Sequence, residues 1–206
     1  DEAYSWIKAP RYKGQPVETG PLARILINYA AGDKAVKKIV DDTLAKLNIP
    51  LTALQSALGR TIARGLESIL IADWMREDMD QLLKNIKNGN QITFNSAKWE
   101  PETWEKNAKG VGWIEAPRGA LGHWIVIEDG KTKEYQAVVP STWNASPRDH
   151  NGNIGAYEAS LIGTPMADKT QPLELIRIIH SFDPCLACAV HLTDLESNTQ
   201  TEIRIV

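Results

Sequence analysis

Apolar positions recur with helical spacing through much of the first ninety residues, and the period changes after that. Residues 1–20 carry Tyr4, Trp6 and Tyr12 among prolines and glycines with no clear period, which reads as an ordered but irregular segment. From Pro21, a residue suited to the first position of a helix, Leu22, Ile25, Leu26 and Tyr29 follow at helical spacing. Asp33 is placed to cap a second helix whose stripe is Val36, Ile39, Val40, Leu44 and Leu47, and Asn48-Ile49-Pro50 ends it. From Leu51 to about Ile86 the pattern is helical almost without interruption. Leu54, Leu58, Ile62, Leu66, Leu70 and Trp74 mark part of its buried side, and Gly59 and Gly65 offer close approach to another helix. A helix of about 50 Å, at 1.5 Å per residue, usually belongs to a bundle. Asn88-Gly89-Asn90 breaks the pattern.

Residues 95–110 are polar, with Trp99 and Trp104, and read as loop or short helix. Gly112–Ala116 leads into Pro117-Arg118-Gly119-Ala120-Leu121-Gly122-His123-Trp124. Ile125–Glu128 and Glu134–Val139 then read as two strands joined at Asp129-Gly130, a strong hairpin signal. Val139–Asn144 ends the hairpin. Ala156–Ile162 is a short helical stretch, Pro172–Ser181 is an apolar helix, and Thr201–Val206 alternates like an edge strand. The fold class expected is α+β and predominantly helical: a long-helix bundle with a small β-hairpin region.

Composition narrows the class without naming a function. A chain of 206 residues is long enough for one substantial core, or one and a half domains. Apolar residues at 43% and charged residues at 24% are ordinary for a soluble globular protein. A net charge of −3 gives no support for nucleic-acid binding by bulk electrostatics. No apolar run approaches the roughly 20 residues that span a bilayer. The opening DEAYSWIKAP is neither a signal nor a transit peptide, so any export or membrane attachment falls to a partner or to further sequence.

Both cysteines lie in Asp183-Pro184-Cys185-Leu186-Ala187-Cys188-Ala189-Val190-His191. Asp183 followed by Pro184 reads as a helix start, with the carboxylate as N-cap. Cys185 and Cys188 would then share one face of the first turns, with His191 on nearly the same side. A helix N-terminus favours thiolate, the form that binds metal. The spacing points to metal or redox chemistry, against the plainer reading of two buried cysteines beside a capping Asp. Other positions have plain readings too. Glu18 and Arg24 form an ordinary surface or helix-end ion pair, Arg118 sits in a β-turn, His191 is structural, His180 is a satisfied core histidine, and Pro140-Ser141 ends a strand. Pro117 and Gly119 fix the backbone on either side of Arg118.

DPCLACAVH resembles the C-terminal metal-binding motif of the nickel–iron hydrogenase large subunit. PVETGPLAR (residues 16–24) and EAPRGALGHW (residues 115–124) extend the resemblance from near Asp1 to the end. The resemblance implies a Ni–Fe centre with CO and cyanide on the iron. Cys185 is then a terminal nickel thiolate, Cys188 bridges nickel and iron, and a second CxxC pair comes from a missing N-terminal part. It makes His191, with a backbone carbonyl from about Ala137, a ligand to a magnesium or iron ion near the mature C-terminus. Arg118 lies over the position where H2 is split, with Asp183 as its partner. Pro117, Pro140 and Ser141 lie beside the diatomic ligands, and the Ser141 hydroxyl can donate to a cyanide nitrogen. Residues 1–191 belong to the large-subunit domain. Residues 192–206 are an extension that a maturation endopeptidase removes by cutting between His191 and Leu192.

The activity implied is heterolytic cleavage of H2, with electrons passed to an iron–sulfur small subunit; two cysteines are too few to hold such a cluster in this chain. The motifs look most like the respiratory uptake group. That group sits at the periplasmic face of the membrane through partners such as a membrane cytochrome, with a cytoplasmic setting as the alternative. Three rivals differ in class. A zinc or thiol-redox CxxC module leaves the other matching stretches unexplained. An H2-sensing regulatory hydrogenase generally lacks the cleavable tail. A relative in respiratory complex I has lost the cysteines that are present here as Cys185 and Cys188.

Overall fold

The computed structural model describes residues 4–168, 170–185, 190–194 and 199–203, the last two segments as backbone only. Contacts divide the chain into two compact units: Thr19–Pro140, and Asp1–Glu18 together with Ser141–Val206.

The first unit joins three helices to an antiparallel sheet. Helix α1 (Pro21–Ala31) opens on its proline and ends at Gly32, whose φ of 85° is the left-handed conformation glycine adopts freely. Helix α2 (Lys34–Leu47) is capped by Asp33, whose carboxylate accepts the Val36 N–H at 2.9 Å, and it ends at Asn48 with φ 53°. The expected single helix from Leu51 is two elements. A 3₁₀ turn covers Leu51–Leu54, and Ser56 then accepts the Gly59 N–H at 3.0 Å and starts α3 (Ala57–Lys87). The Ser56 cap makes the break: its extended backbone cannot continue the preceding turn. Leu22, Ile25, Val36, Val40, Leu54, Ala63, Leu66 and Leu70 form one core.

The buried side of α3 is Gly59, Ala63, Leu66 and Leu70, spaced four, three and four. Leu58 and Trp74, expected on that side, are 70% and 53% exposed. Gly59 lies against the backbone of Leu54 rather than another helix, and a Cβ at Gly65 would meet nothing. Beyond Leu70 no residue of α3 is buried.

Strands β1 (Ala108–Ala116), β2 (Gly119–Glu128) and β3 (Lys131–Val138) pair in that order, both pairs antiparallel. β1 is the strand that sequence pattern does not reveal. It is almost wholly exposed, and Gly110 and Gly112 remove any alternation. Asp129 (φ 51°) and Gly130 (φ 74°) both lie in the left-handed region, as the expected two-residue hairpin turn requires. Trp113 stands opposite Gly122 and packs edge-on against Trp124, with ring centroids 4.6 Å apart. A Cβ at Gly122 would strike both rings.

The second unit holds α5 (Ala156–Leu161), α6 (Leu173–Ser181) and a hairpin of β4 (Val190–Asp194) with β5 (Thr199–Ile203). Short helix α4 (Pro140–Asn144) starts at the last residue of the first unit. Arg11 anchors the N-terminal segment to the loop at 146–153. Its Nε donates to Asp149 at 2.8 Å, and its Nη atoms donate to Ser146 Oγ and to the carbonyls of Pro10, Pro147 and Asn153. Of the strand expected over Thr201–Val206, residues 201–203 lie in β5 and 204–206 lie outside the described residues; His191 stands opposite Glu202 and Leu192 opposite Thr201. The fold class is α+β, with mixed helices and small sheets. No helix among the described residues is long and apolar enough to cross a membrane.

Candidate metal centre

Asp183 does not start a helix. Its N–H donates to the carbonyl of His180 at 2.9 Å and its φ is 54°, so it closes α6 instead. Asp tolerates the left-handed region better than most residues, which lets it serve at a helix C-terminus. Pro184 and Cys185 are non-helical, and His191 lies in β4, so the expected shared helical face for Cys185 and His191 is not formed. Cys188 lies outside the described residues, as does the side chain of His191.

Cys185 is exposed and free of any disulfide. Its backbone N–H donates to Ser141 Oγ at 3.1 Å. Ser141 follows Pro140 in α4, so two residues singled out separately in sequence, 44 positions apart, meet here. The hydroxyl accepts that bond and keeps its own O–H to donate. Among the described residues, no group of three or more His, Cys, Asp or Glu side chains is placed to hold a metal.

Pro117 and Arg118 form the two-residue turn between β1 and β2, closed by the Ala116–Gly119 pair. Arg118 is half-buried. Gly119 has φ 134°, a conformation L side chains rarely adopt, and a Cβ there would lie 2.7 Å from the Gly20 nitrogen. A Cβ at Gly20 would in turn lie 3.0 Å from the Arg118 carbonyl oxygen. Thr19 Oγ1 donates to the Pro140 carbonyl at 3.5 Å. The Thr19-Gly20 step therefore touches both Pro140 and the turn that carries Arg118. Ala137 lies in β3 opposite His123, and its carbonyl accepts from Gln136 Nε2 at 2.8 Å. The His123 ring shares a hydrogen bond with the Tyr135 hydroxyl. His180 is exposed, not a core histidine.

Arg24 is the residue that sequence reasoning misplaced. It is no surface ion pair. Its Nε and Nη2 grip both oxygens of Glu67 at 2.5 and 2.6 Å, and Nη1 reaches Glu115 at 2.9 Å. Nη1 and Nη2 also donate to the carbonyls of Ala116 and Pro117, each at 2.9 Å. The hydrogen bond to Glu67 raises its pKa further, so it is permanently charged. Its place in PVETGPLAR was the available signal, but Glu67 and Glu115 lie 43 and 91 positions away.

The chain is matched over residues 1–191 by the family described as nickel-dependent hydrogenase. It is 55% identical over 202 residues to the uptake hydrogenase large subunit of Bradyrhizobium diazoefficiens, covering 98% of this chain and 34% of that one. It is 56% identical over 191 residues to the hydrogenase-1 large chain of Escherichia coli K12, covering 93% of this chain and 32% of the other. Among solved structures, the reduced Ni-Fe-Se hydrogenase of D. vulgaris Hildenborough superposes with a TM-score of 0.66 at 37% identity, covering 89% of this chain and 37% of that one. The chain thus spans about a third of the length of the curated relatives it matches.

Proposed function

We propose, since this chain belongs to the nickel-dependent hydrogenase family, that it is the metal-carrying C-terminal portion of a hydrogenase large subunit. The complete subunit would cleave H2 heterolytically and pass electrons to an iron–sulfur small subunit. The family match across 191 residues carries this reading. Locally it is supported by the free, exposed Cys185 thiol, held through its backbone by Ser141.

Soft thiolates suit nickel and iron, and Cys185 fits as one of them. Cys185 and Cys188 would hold the centre with a CxxC pair from the upstream part of the subunit. When bound, the centre supplies Lewis acidity and takes up electrons. The rest falls to the chain's own side chains. Ser141 fixes the Cys185 backbone, and its free O–H can donate to a cyanide on the iron. Arg118 presents a rigid, permanently charged fork of donors, with Pro117 fixing φ before it and Gly119 adopting after it a positive φ that other residues rarely reach. Arg118 and Asp183 form the proposed catalytic pair, and Pro117 and Pro140 line the diatomic ligands. His191 and the Ala137 carbonyl would bind a magnesium or iron ion. That carbonyl accepts from Gln136 Nε2, and a carbonyl oxygen carries two lone pairs, so a cation is a chemically suitable further partner.

The finer organisation belongs to the same proposal. In the complete subunit α3 is a member of a long-helix bundle, supported by its 31-residue length. The boundary at His191, with endopeptidase removal of 192–206, is supported by the family match ending there. β4 runs across the His191–Leu192 bond, so cutting requires that strand to leave β5. Relatives named as uptake hydrogenase large subunits support the uptake-type reading, and attachment to the periplasmic face of a membrane through partner chains, including a cytochrome, belongs to the same proposal.

Metal analysis of the complete large subunit, purified with its partner chains, tests the reading. Nickel and iron are expected together, with nickel lost in Cys185→Ser and an intact mass ending at His191. Zinc in place of nickel would overturn the assignment, and a native C-terminus at Val206 would overturn the processing.

A further inference from the structure

We infer that Arg24 is a positioning residue whose guanidinium holds the backbone that presents Arg118. The inference rests on the role proposed above for Arg118. Arg24 meets five acceptors with its five N–H groups: both oxygens of Glu67, one of Glu115, and the carbonyls of Ala116 and Pro117. A bidentate pair with Glu67 would suffice for an ion pair that only stabilises the fold. The two donors aimed at consecutive carbonyls do something else: they fix the orientation of the Ala116–Pro117 and Pro117–Arg118 peptide planes.

The next peptide plane is held by shape. The Arg118 carbonyl oxygen abuts Gly20, and Gly119 abuts Thr19 and the Gly20 nitrogen so closely that neither glycine has room for a side chain. Three consecutive peptide planes around Arg118 are thus constrained by one short stretch, Thr19 to Arg24. Glu67, on α3, anchors the guanidinium to the helical core. A charged fork must be aimed to within a fraction of an ångström, and its own rotamer can be no better defined than the backbone it hangs from. Lysine at position 24 would keep the charge but has three donors on one atom, so it cannot serve all five acceptors together.

The test uses the complete enzyme with its partner chains. In Arg24→Lys, amide hydrogen exchange across residues 115–121 should quicken by about tenfold, the amides of α1 and the buried part of α3 staying unchanged. H2 oxidation should fall by about tenfold, but in an Arg118→Lys background the same change should cost less than about twofold, because both act through one group. Unchanged exchange in the turn, or losses that multiply fully in the double variant, would overturn the inference. Glu67→Gln keeps the side-chain shape and one acceptor. It should move the same exchange in the same direction, by about threefold, and decides the matter if Arg24→Lys does not fold. Normal turnover in Arg118→Lys would instead remove the proposed role of Arg118, while the exchange result still decides whether Arg24 holds the turn.

Discussion

At the scale of single residues, the number of acceptors around a guanidinium decides what it does. Arg24 and Arg11 each meet five, one in each unit, and each ties segments far apart in sequence. For Arg11 the partner Asp149 also accepts the N–H groups of Asn151 and Asn153. The Arg11 hydrogen bond first, and those amides after it, lower the Asp149 carboxyl from 3.8 to about 2. A lowered folded-state pKa contributes stability that is fully present above the unfolded value and is lost as pH falls through the folded one. The protection of the 147–153 amides, taken relative to their intrinsic exchange rate at each pH, should therefore be steady above about pH 4 and fall towards pH 2. In Asp149→Asn the loop should be looser throughout, without that acid step, and an equal acid step in the variant would refute the assignment. None of this was legible in sequence, because partners 138 positions apart leave no local spacing to read. Asp183 failed for a different reason. An Asp-Pro pair suits a helix start, but α6 ends two residues earlier and takes the same aspartate as its terminator.

At the scale of elements, periodicity recovered α1, α2, α5 and α6 and the Asp129-Gly130 turn; Pro21 and Gly32 mark the ends of α1, Asp33 and Asn48 those of α2, and two left-handed residues the turn, whereas α5 and α6 start without a side-chain cap. The long third helix was legible at its C-terminal end, but its start was placed six residues early and its buried face was misread. Apolar residues lie on more than one of its faces, so Leu58 and Trp74 fit a sequence stripe yet stay exposed, while small residues at 59 and 63 make the true contact. Leu66→Ala should cost about 2–5 kcal/mol, since Leu66 is 5% exposed and packed in the core. Ser56→Ala removes the cap that separates α3 from the 3₁₀ turn and should cost about 1 kcal/mol. Denaturant unfolding of the two variants checks the order; a larger loss in Ser56→Ala would contradict the packing described. β1 escaped notice because an exposed strand containing two glycines has no apolar alternation to detect.

At the scale of the whole molecule, three short stretches carried most of what the sequence could say, and the structure relates them within each unit. PVETGPLAR and EAPRGALGHW meet through Thr19, Gly20 and Arg24 around the Arg118 turn. Within the other unit, the stretch from Asp183 meets Ser141 through the Cys185 N–H. The family was legible because these stretches are specific, whereas the contacts that connect them depend on the fold. With the chain spanning about a third of its relatives' length, the central proposal concerns the complete subunit, in which Cys185 and Cys188 would help hold a nickel–iron centre. An infrared spectrum of the complete protein, purified with its partner chains, tests that claim most directly. Absorptions from metal-bound CO and cyanide are expected, and they should be lost when Cys185 is replaced by Ser. A nickel-replete preparation without those absorptions would contradict it.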